Sequence, residues 1–136
     1  MEKKETEENT DPISYKNVCD FGYLMVMTGG KKHLIKEITD AFLKQVAEEL
    51  QTINDAIENT DYGTIKTFAH TMQSSVSIMG ISLLTSVLRE MENLGALATS
   101  PDISNRDEKI KVLNNKLNLI CHQAFKEIEE KRLNYI

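Results

Sequence analysis

Three histidines, two cysteines and 21 acidic residues are the side chains of this 136-residue chain best suited to acid–base, nucleophilic or metal chemistry. Most of the spacings that such chemistry needs are absent. A di-iron bundle site requires Glu-x-x-His on paired helices. Gly30, Thr67 and Leu119 stand three residues before His33, His70 and His122, so that pattern fails. Cys121-His122 lacks the first cysteine of a haem-attachment motif, because position 118 is Asn118. Cys19 and Cys121 have no Cys-x-x-Cys spacing and fit two structural thiols in a reduced compartment, with a single disulfide left open. No metal or cofactor is expected. No Ser/His/Asp cluster, phosphate-binding glycine loop or paired-carboxylate constellation points to a hydrolase or transferase with its own pocket.

His70 is the exception. It lies in Thr67-Phe68-Ala69-His70-Thr71-Met72-Gln73-Ser74-Ser75-Val76-Ser77-Ile78-Met79-Gly80. On a helix turning ~100° per residue, Phe68, Ala69, Met72, Val76 and Met79 fall within about 60° of Ile65, and His70 falls near 140°. The imidazole is therefore expected to face solvent. Lys66, Gln73, Ser74 and Ser77 share its side of the helix at i−4, i+3, i+4 and i+7, and Gly63 lies a turn further back. Small side chains there allow a partner to approach closely. Lys66 and Gln73 bring donors, and no Asp or Glu occurs between Asp61 and Gly80. An anion on the ring is expected to meet donors instead of carboxylates. An ordinary imidazole titrates near ~6.5 and is a ready nucleophile at cellular pH. The bland alternative is a surface histidine with no task. His33, beside Lys31 and Lys32, is expected to be solvated, and His122 to be a packed or half-exposed structural residue.

The elements that would hold His70 are helices. Gly and Pro are scarce, at 6 and 2, and no segment alternates like a strand. Residues 1–11 read as a disordered acidic tail, and residues 12–136 as one domain. Asp11-Pro12 predicts the start of a short first helix carrying Tyr15, Val18, Cys19, Leu24 and Met25, interrupted at Gly22 and ended by Gly29-Gly30. Ile35, Ile38, Phe42, Val46, Leu50, Ile53 and Ile57 predict a long helix over about residues 31–58. Asn59-Thr60-Asp61 then breaks the chain before the His70 helix. Leu84, Val87, Leu88, Met91 and Leu94 predict a helix over about 81–97, followed by a loop over 96–102 containing Ser100-Pro101. Ser104 and Asp107 suggest a capping box. A last helix buries Ile110, Leu113, Leu117, Ile120, Cys121, Ala124 and Ile128. Met25, Met27, Met72, Met79 and Met91 are read as core or gap-filling residues. Tyr23 and Met27 are alternatively a docking patch near His70. Short connections favour an all-α, antiparallel up-down-up-down four-helix bundle with a short additional N-terminal helix.

The net charge of −5, without a Lys/Arg cluster, argues against a nucleic-acid surface. No apolar run approaches the ~18 residues of a membrane span. The segment Met1-Glu2-Lys3-Lys4-Glu5 has no apolar stretch of a secretory signal, so the expected setting is cytoplasmic.

Ala69-His70-Thr71-Met72-Gln73-Ser74-Ser75, followed by Gly80 and a leucine-rich helix ending Arg89-Glu90-Met91-Glu92, resembles the histidine-containing phosphotransfer (HPt) domain. That family's motif is His-x-x-Lys-Gly-Ser, with a later glycine and a helix rich in leucine and glutamate. Gly29-Gly30, Phe42-Leu43 and Asn59-Thr60-Asp61-Tyr62 also resemble its pattern. The resemblance implies a phosphoryl carrier, not an enzyme with its own catalytic site. It implies transfer between receiver-domain aspartates through His70, with a sensor or hybrid histidine kinase upstream and Mg²⁺ supplied only by the receiver. A monomer would suffice. Gln73 stands where the family has lysine, and Ser74 where it has glycine. Gln73 donates without charge, and charge-assisted bonds are roughly twice as strong. Lys66, one turn back, is expected to supply part of the missing positive charge. The competing reading is a degenerate HPt-like module that docks receivers or kinases without carrying phosphate.

Overall fold

The computed structural model describes residues 15–97 and 105–134. The expected tail over residues 1–11, the Asp11-Pro12 helix start, the Ser100-Pro101 loop and Ser104 all lie outside these residues. The described chain is all-helical and contains no strand. Its helices are α1 (Gly22–Thr28), α2 (Lys32–Glu58), α3 (Tyr62–Ile78), α4 (Leu83–Ala96) and α5 (Arg106–Leu133). The four long helices close a ring of contacts, α2 on α3, α3 on α4, α4 on α5 and α5 on α2, and α3 packs most extensively on α4.

Apolar periodicity builds the core. Ala69, Met72 and Val76 of α3 share one buried cluster with Leu84, Val87, Leu88 and Met91 of α4 and with Met79 and Ile81 at its end, while Ile65 packs with Ala56 and Ile110 in a second, smaller cluster. On α5 the buried apolar residues are Ile110, Leu113, Leu117, Ile120, Cys121, Ala124 and Ile128, the stripe read from spacing. The α2 stripe contains two polar residues. Thr39 donates to the Ile35 carbonyl at 2.7 Å, and buried Glu49 accepts from Gln45 at 3.2 Å. Between α2 and α5, Asn54 accepts from Asn114 and Asn118 at 2.8 and 3.1 Å and donates to Asn118 at 3.2 Å.

The first helix differs from expectation. Tyr15, Val18 and Cys19 are not helical, and α1 begins at Gly22, the residue expected to interrupt it. The reason is a long-range clamp. Glu127 of α5 accepts from the backbone N–H groups of Val18 and Cys19 at 3.0 and 2.9 Å, which holds residues 15–20 as a non-helical strap. The strap continues with the Asp20 N–H donating to the Met79 carbonyl at 3.0 Å. The Asp20 carboxylate accepts from Gly22 at 2.9 Å, an Asx turn that starts the helix. Met27 is 42% exposed and so is not a core methionine, while Met72, Met79 and Met91 are buried. His122 is exposed, and its Nδ1 donates to the Asn118 carbonyl at 2.7 Å. Asp107 accepts from the Tyr62 hydroxyl, a bond from α3 to α5. The two cysteines are free thiols, and burial pushes each up to about 12.

Two tight reversals fix the ends of α2 and α3. After α3, Gly80 adopts φ +63 while the Ile81 N–H returns to the Val76 carbonyl at 3.0 Å. A Cβ at Gly80 would stand 2.2 Å from the Asp20 carbonyl oxygen. After α2, Thr60 takes the same left-handed conformation with φ 48, although its side chain is β-branched. Gly80→Ala is expected to lose at least about 2 kcal/mol of stability, from left-handed strain plus the clash with the strap. Thr60→Gly, where strain is the only issue, is expected to gain roughly 0.5–1 kcal/mol. Urea denaturation of the two variants checks both signs.

The strap has its own pH signature. Burial alone would raise the Glu127 pKa. Hydrogen bonds from Gln123, the Cys19 and Val18 N–H groups and the Cys19 thiol overcome burial, and its carboxyl titrates below an ordinary glutamate. A lowered folded-state value means that Glu127 stabilises fully above the unfolded-state pKa and loses its contribution as pH falls through the folded value. Stability is therefore expected to fall on acidification more steeply in wild type than in Glu127→Gln. At neutral pH, Glu127→Ala is expected to cost about 1–2 kcal/mol. Denaturation curves from neutral pH to pH 3 test both.

Candidate functional site

Asp61 starts the helix that carries His70. Its carboxylate accepts from the Thr64 N–H at 3.2 Å and from the Thr64 hydroxyl at 2.7 Å, and these bonds lower its pKa. With the start fixed, the apolar stripe of α3 turns inward and His70 turns outward. The His70 side chain is 73% exposed.

The surroundings of the ring are not free of carboxylates. Glu92, from the neighbouring α4, places Oε2 2.9 Å from His70 Nδ1. Its other oxygen, Oε1, accepts from Gln73 Nε2 at 2.8 Å. The expectation of a donor-only environment considered α3 alone, and the acid comes from across the helix pair. Glu92 is one residue past inward-facing Met91, at the edge of the α4 face that meets α3. The pairing of α4 with α3 was the signal that could have found it.

The hydrogen bond assigns the tautomer. A carboxylate oxygen only accepts, so Nδ1 carries the proton of a neutral ring, and the Nε2 lone pair is left for chemistry. Gln73 has a task in this arrangement. Its amide is turned to Glu92 and, at 3.4 Å, to the Ala69 carbonyl. It holds the carboxylate with a neutral donor, so it does not offer the pair a competing cation.

Lys66 is exposed and lines a surface concavity of about 320 Å³ together with Thr67, His70, Thr71 and Glu92. Ser74 is exposed one turn after His70. The exposed Ser77 hydroxyl donates to the Gln73 carbonyl at 2.8 Å, which takes up its proton. Tyr23, Val26 and Met27 project from one side of α1 and are 59%, 81% and 42% exposed. Through Asp20, the strap leading into α1 is joined to Met79 beyond the end of α3. Among the described residues, no group of three or more His, Cys, Asp or Glu could hold a metal ion, and no helix is long and apolar enough to cross a membrane.

A family model described as Hpt domain matches residues 37–125. The chain belongs to the Hpt domain family. The matched part of this Hpt domain runs from the first turns of α2 through α3 and α4 into α5, and it contains His70, Gln73 and Glu92. The strap and α1 precede it. No curated protein and no solved structure matches the chain. The family's work is histidine phosphotransfer in phosphorelays.

Replacing Glu92 by glutamine tests the tautomer assignment. An amide has one accepting oxygen for two donors, so the ring and Gln73 compete for it. Nitrogen chemical shifts of the His70 ring in Glu92→Gln are expected to move from a fixed Nδ1–H pattern toward that of a ring exchanging tautomers.

Proposed function

We propose that this Hpt domain is a phosphorelay intermediate that accepts a phosphoryl group on His70 Nε2 from the aspartate of one receiver domain and gives it to the aspartate of another. The observation that carries the reading is an exposed imidazole whose Nδ1 is hydrogen-bonded to Glu92.

The chemistry balances without a general base. The Nε2 lone pair attacks phosphorus, the N–P bond forms, and the P–O bond to the aspartate breaks with the electron pair leaving on the carboxylate. The ring keeps its Nδ1 proton. Positive charge develops on the imidazole as the N–P bond forms, and the Glu92 carboxylate stands beside it to compensate. The return step reverses these events. Mg²⁺ and the equatorial donors to the transferring group belong to the receiver, so the domain is a carrier with no catalytic site of its own. The upstream source is a sensor or hybrid histidine kinase acting through its receiver. Lys66, on the wall of the same concavity, supplies the positive charge that Gln73 lacks, and Ser74 leaves room for the partner. The exposed apolar face of α1 adds contact area for docking. The ring of helix contacts supports an antiparallel up-down-up-down bundle, and the proposed carrier is a cytoplasmic monomer.

Transfer from a phosphorylated receiver is the test. Wild type is expected to gain an acid-labile, alkali-stable label that disappears in His70→Gln. Lys66→Ala is expected to slow transfer roughly threefold to tenfold, the effect of about 1 kcal/mol of charge-assisted bonding. Equal, background labelling of wild type and His70→Gln by a competent donor would instead establish a module that docks receivers without carrying phosphate.

A further inference from the structure

Gly95 is a helical residue of α4 with no turn to make, one turn beyond Glu92. Across from it lie the backbone nitrogen of Lys66 and the carbonyl oxygen of Tyr62, residues i and i−4 of the first turns of α3. A Cβ built on Gly95 would stand 3.0 Å from each of these atoms and 3.1 Å from the Lys66 Cβ, where ordinary contact begins at 3.4 Å. Two of the three are main-chain atoms, so no flexible side-chain end is available to move aside. The absence of a side chain at this position lets α4 lie directly on the α3 backbone. Gly95 and Lys66 face each other one turn below the level at which Glu92 faces His70. The gap at the lower level therefore sets the distance that the Glu92 side chain must bridge at the upper one.

We infer that Gly95 is a positioning residue of the phosphoryl-accepting site: its close approach to Lys66 and Tyr62 holds α4 near enough to α3 for Glu92 to fix the Nδ1–H tautomer of His70. The functional consequence rests on the reading of His70 as the phosphoryl acceptor, but the geometric claim stands on the unmodified protein. Gly95 touches neither the ring nor a phosphoryl group and acts only through Glu92. A Cβ there forces the two helices apart by a few tenths of an ångström, and the 2.9 Å bond between Oε2 and Nδ1 is the contact that lengthens. Nε2 then shares the ring proton and is blocked as a nucleophile for part of the time.

The experiment records nitrogen chemical shifts of the His70 ring in wild type, Gly95→Ala, Glu92→Asp and Ile128→Val, without phosphorylation. Alanine is the better helix former, so Gly95→Ala is expected to fold. Its ring nitrogens should shift toward the averaged values of an exchanging ring. Glu92→Asp shortens the carboxylate arm by one methylene on an unchanged backbone and should shift them in the same direction. Ile128→Val trims the core on α5 and should leave them in place. A folded Gly95→Ala with a wild-type ring overturns the inference, as does a shift of equal size in Ile128→Val. If Gly95→Ala does not fold, Glu92→Asp decides: a wild-type ring there means that the reach of Glu92 is not limiting, and the inference fails. Because these spectra need no phosphoryl donor, failed transfer with normal ring spectra would strike the relay reading and leave the positioning claim intact.

Discussion

The seam between α3 and α4 is the constraint on which the site depends. Ala69, Met72 and Val76 on one side and Leu84, Leu88 and Met91 on the other are buried and belong to one apolar cluster. Their burial is non-directional, so it fixes which faces meet without fixing a side chain's hydrogen bonds. The directional detail comes from the edge of the seam, where the apolar faces run out and His70, Gln73 and Glu92 come within hydrogen-bonding distance. The chemistry of the ring is thus a by-product of core packing one residue away from the core.

This arrangement divides labour between helix and neighbour. α3 presents the imidazole and decides that it is accessible. α4 supplies the acceptor that decides which nitrogen holds the proton. A carboxylate near a phosphoryl site looks unfavourable, since anions repel. Its placement on Nδ1, with Gln73 holding its second oxygen, sets it on the far side of the ring from Nε2. In the proposed transfer, that position lets it stabilise charge on the imidazole while standing back from the incoming phosphorus.

Local pattern carried much of this into the sequence. The buried apolar face of α5 follows its spacing, and the outward direction of His70 follows from five apolar neighbours on α3. What the sequence did not reveal was long-range. The strap is held by Glu127, over one hundred positions from Val18, so Tyr15, Val18 and Cys19, expected on the first helix, lie before α1. Glu92 was visible as part of a leucine-rich segment, but its partner is 22 positions away on another helix. Gly95 looks like an unremarkable helix glycine until the backbone it touches is known. Periodicity reports which face a residue occupies, and these residues matter for what lies opposite that face.

The asparagine layer between α2 and α5 bears on how the domain responds to being gripped. Asn114 and Asn118 lie one turn apart on α5, so sliding one helix past the other by a turn, ~5.4 Å, would leave Asn54 at most one of its two partners and strand the other amide in a half-buried interface. Apolar ridges alone would tolerate such creep more easily. The wall of the bundle that lacks His70 is therefore pinned lengthwise, like the fixed jaw of a vice. Force applied by a partner on the opposite wall is then resisted by a frame that holds its length.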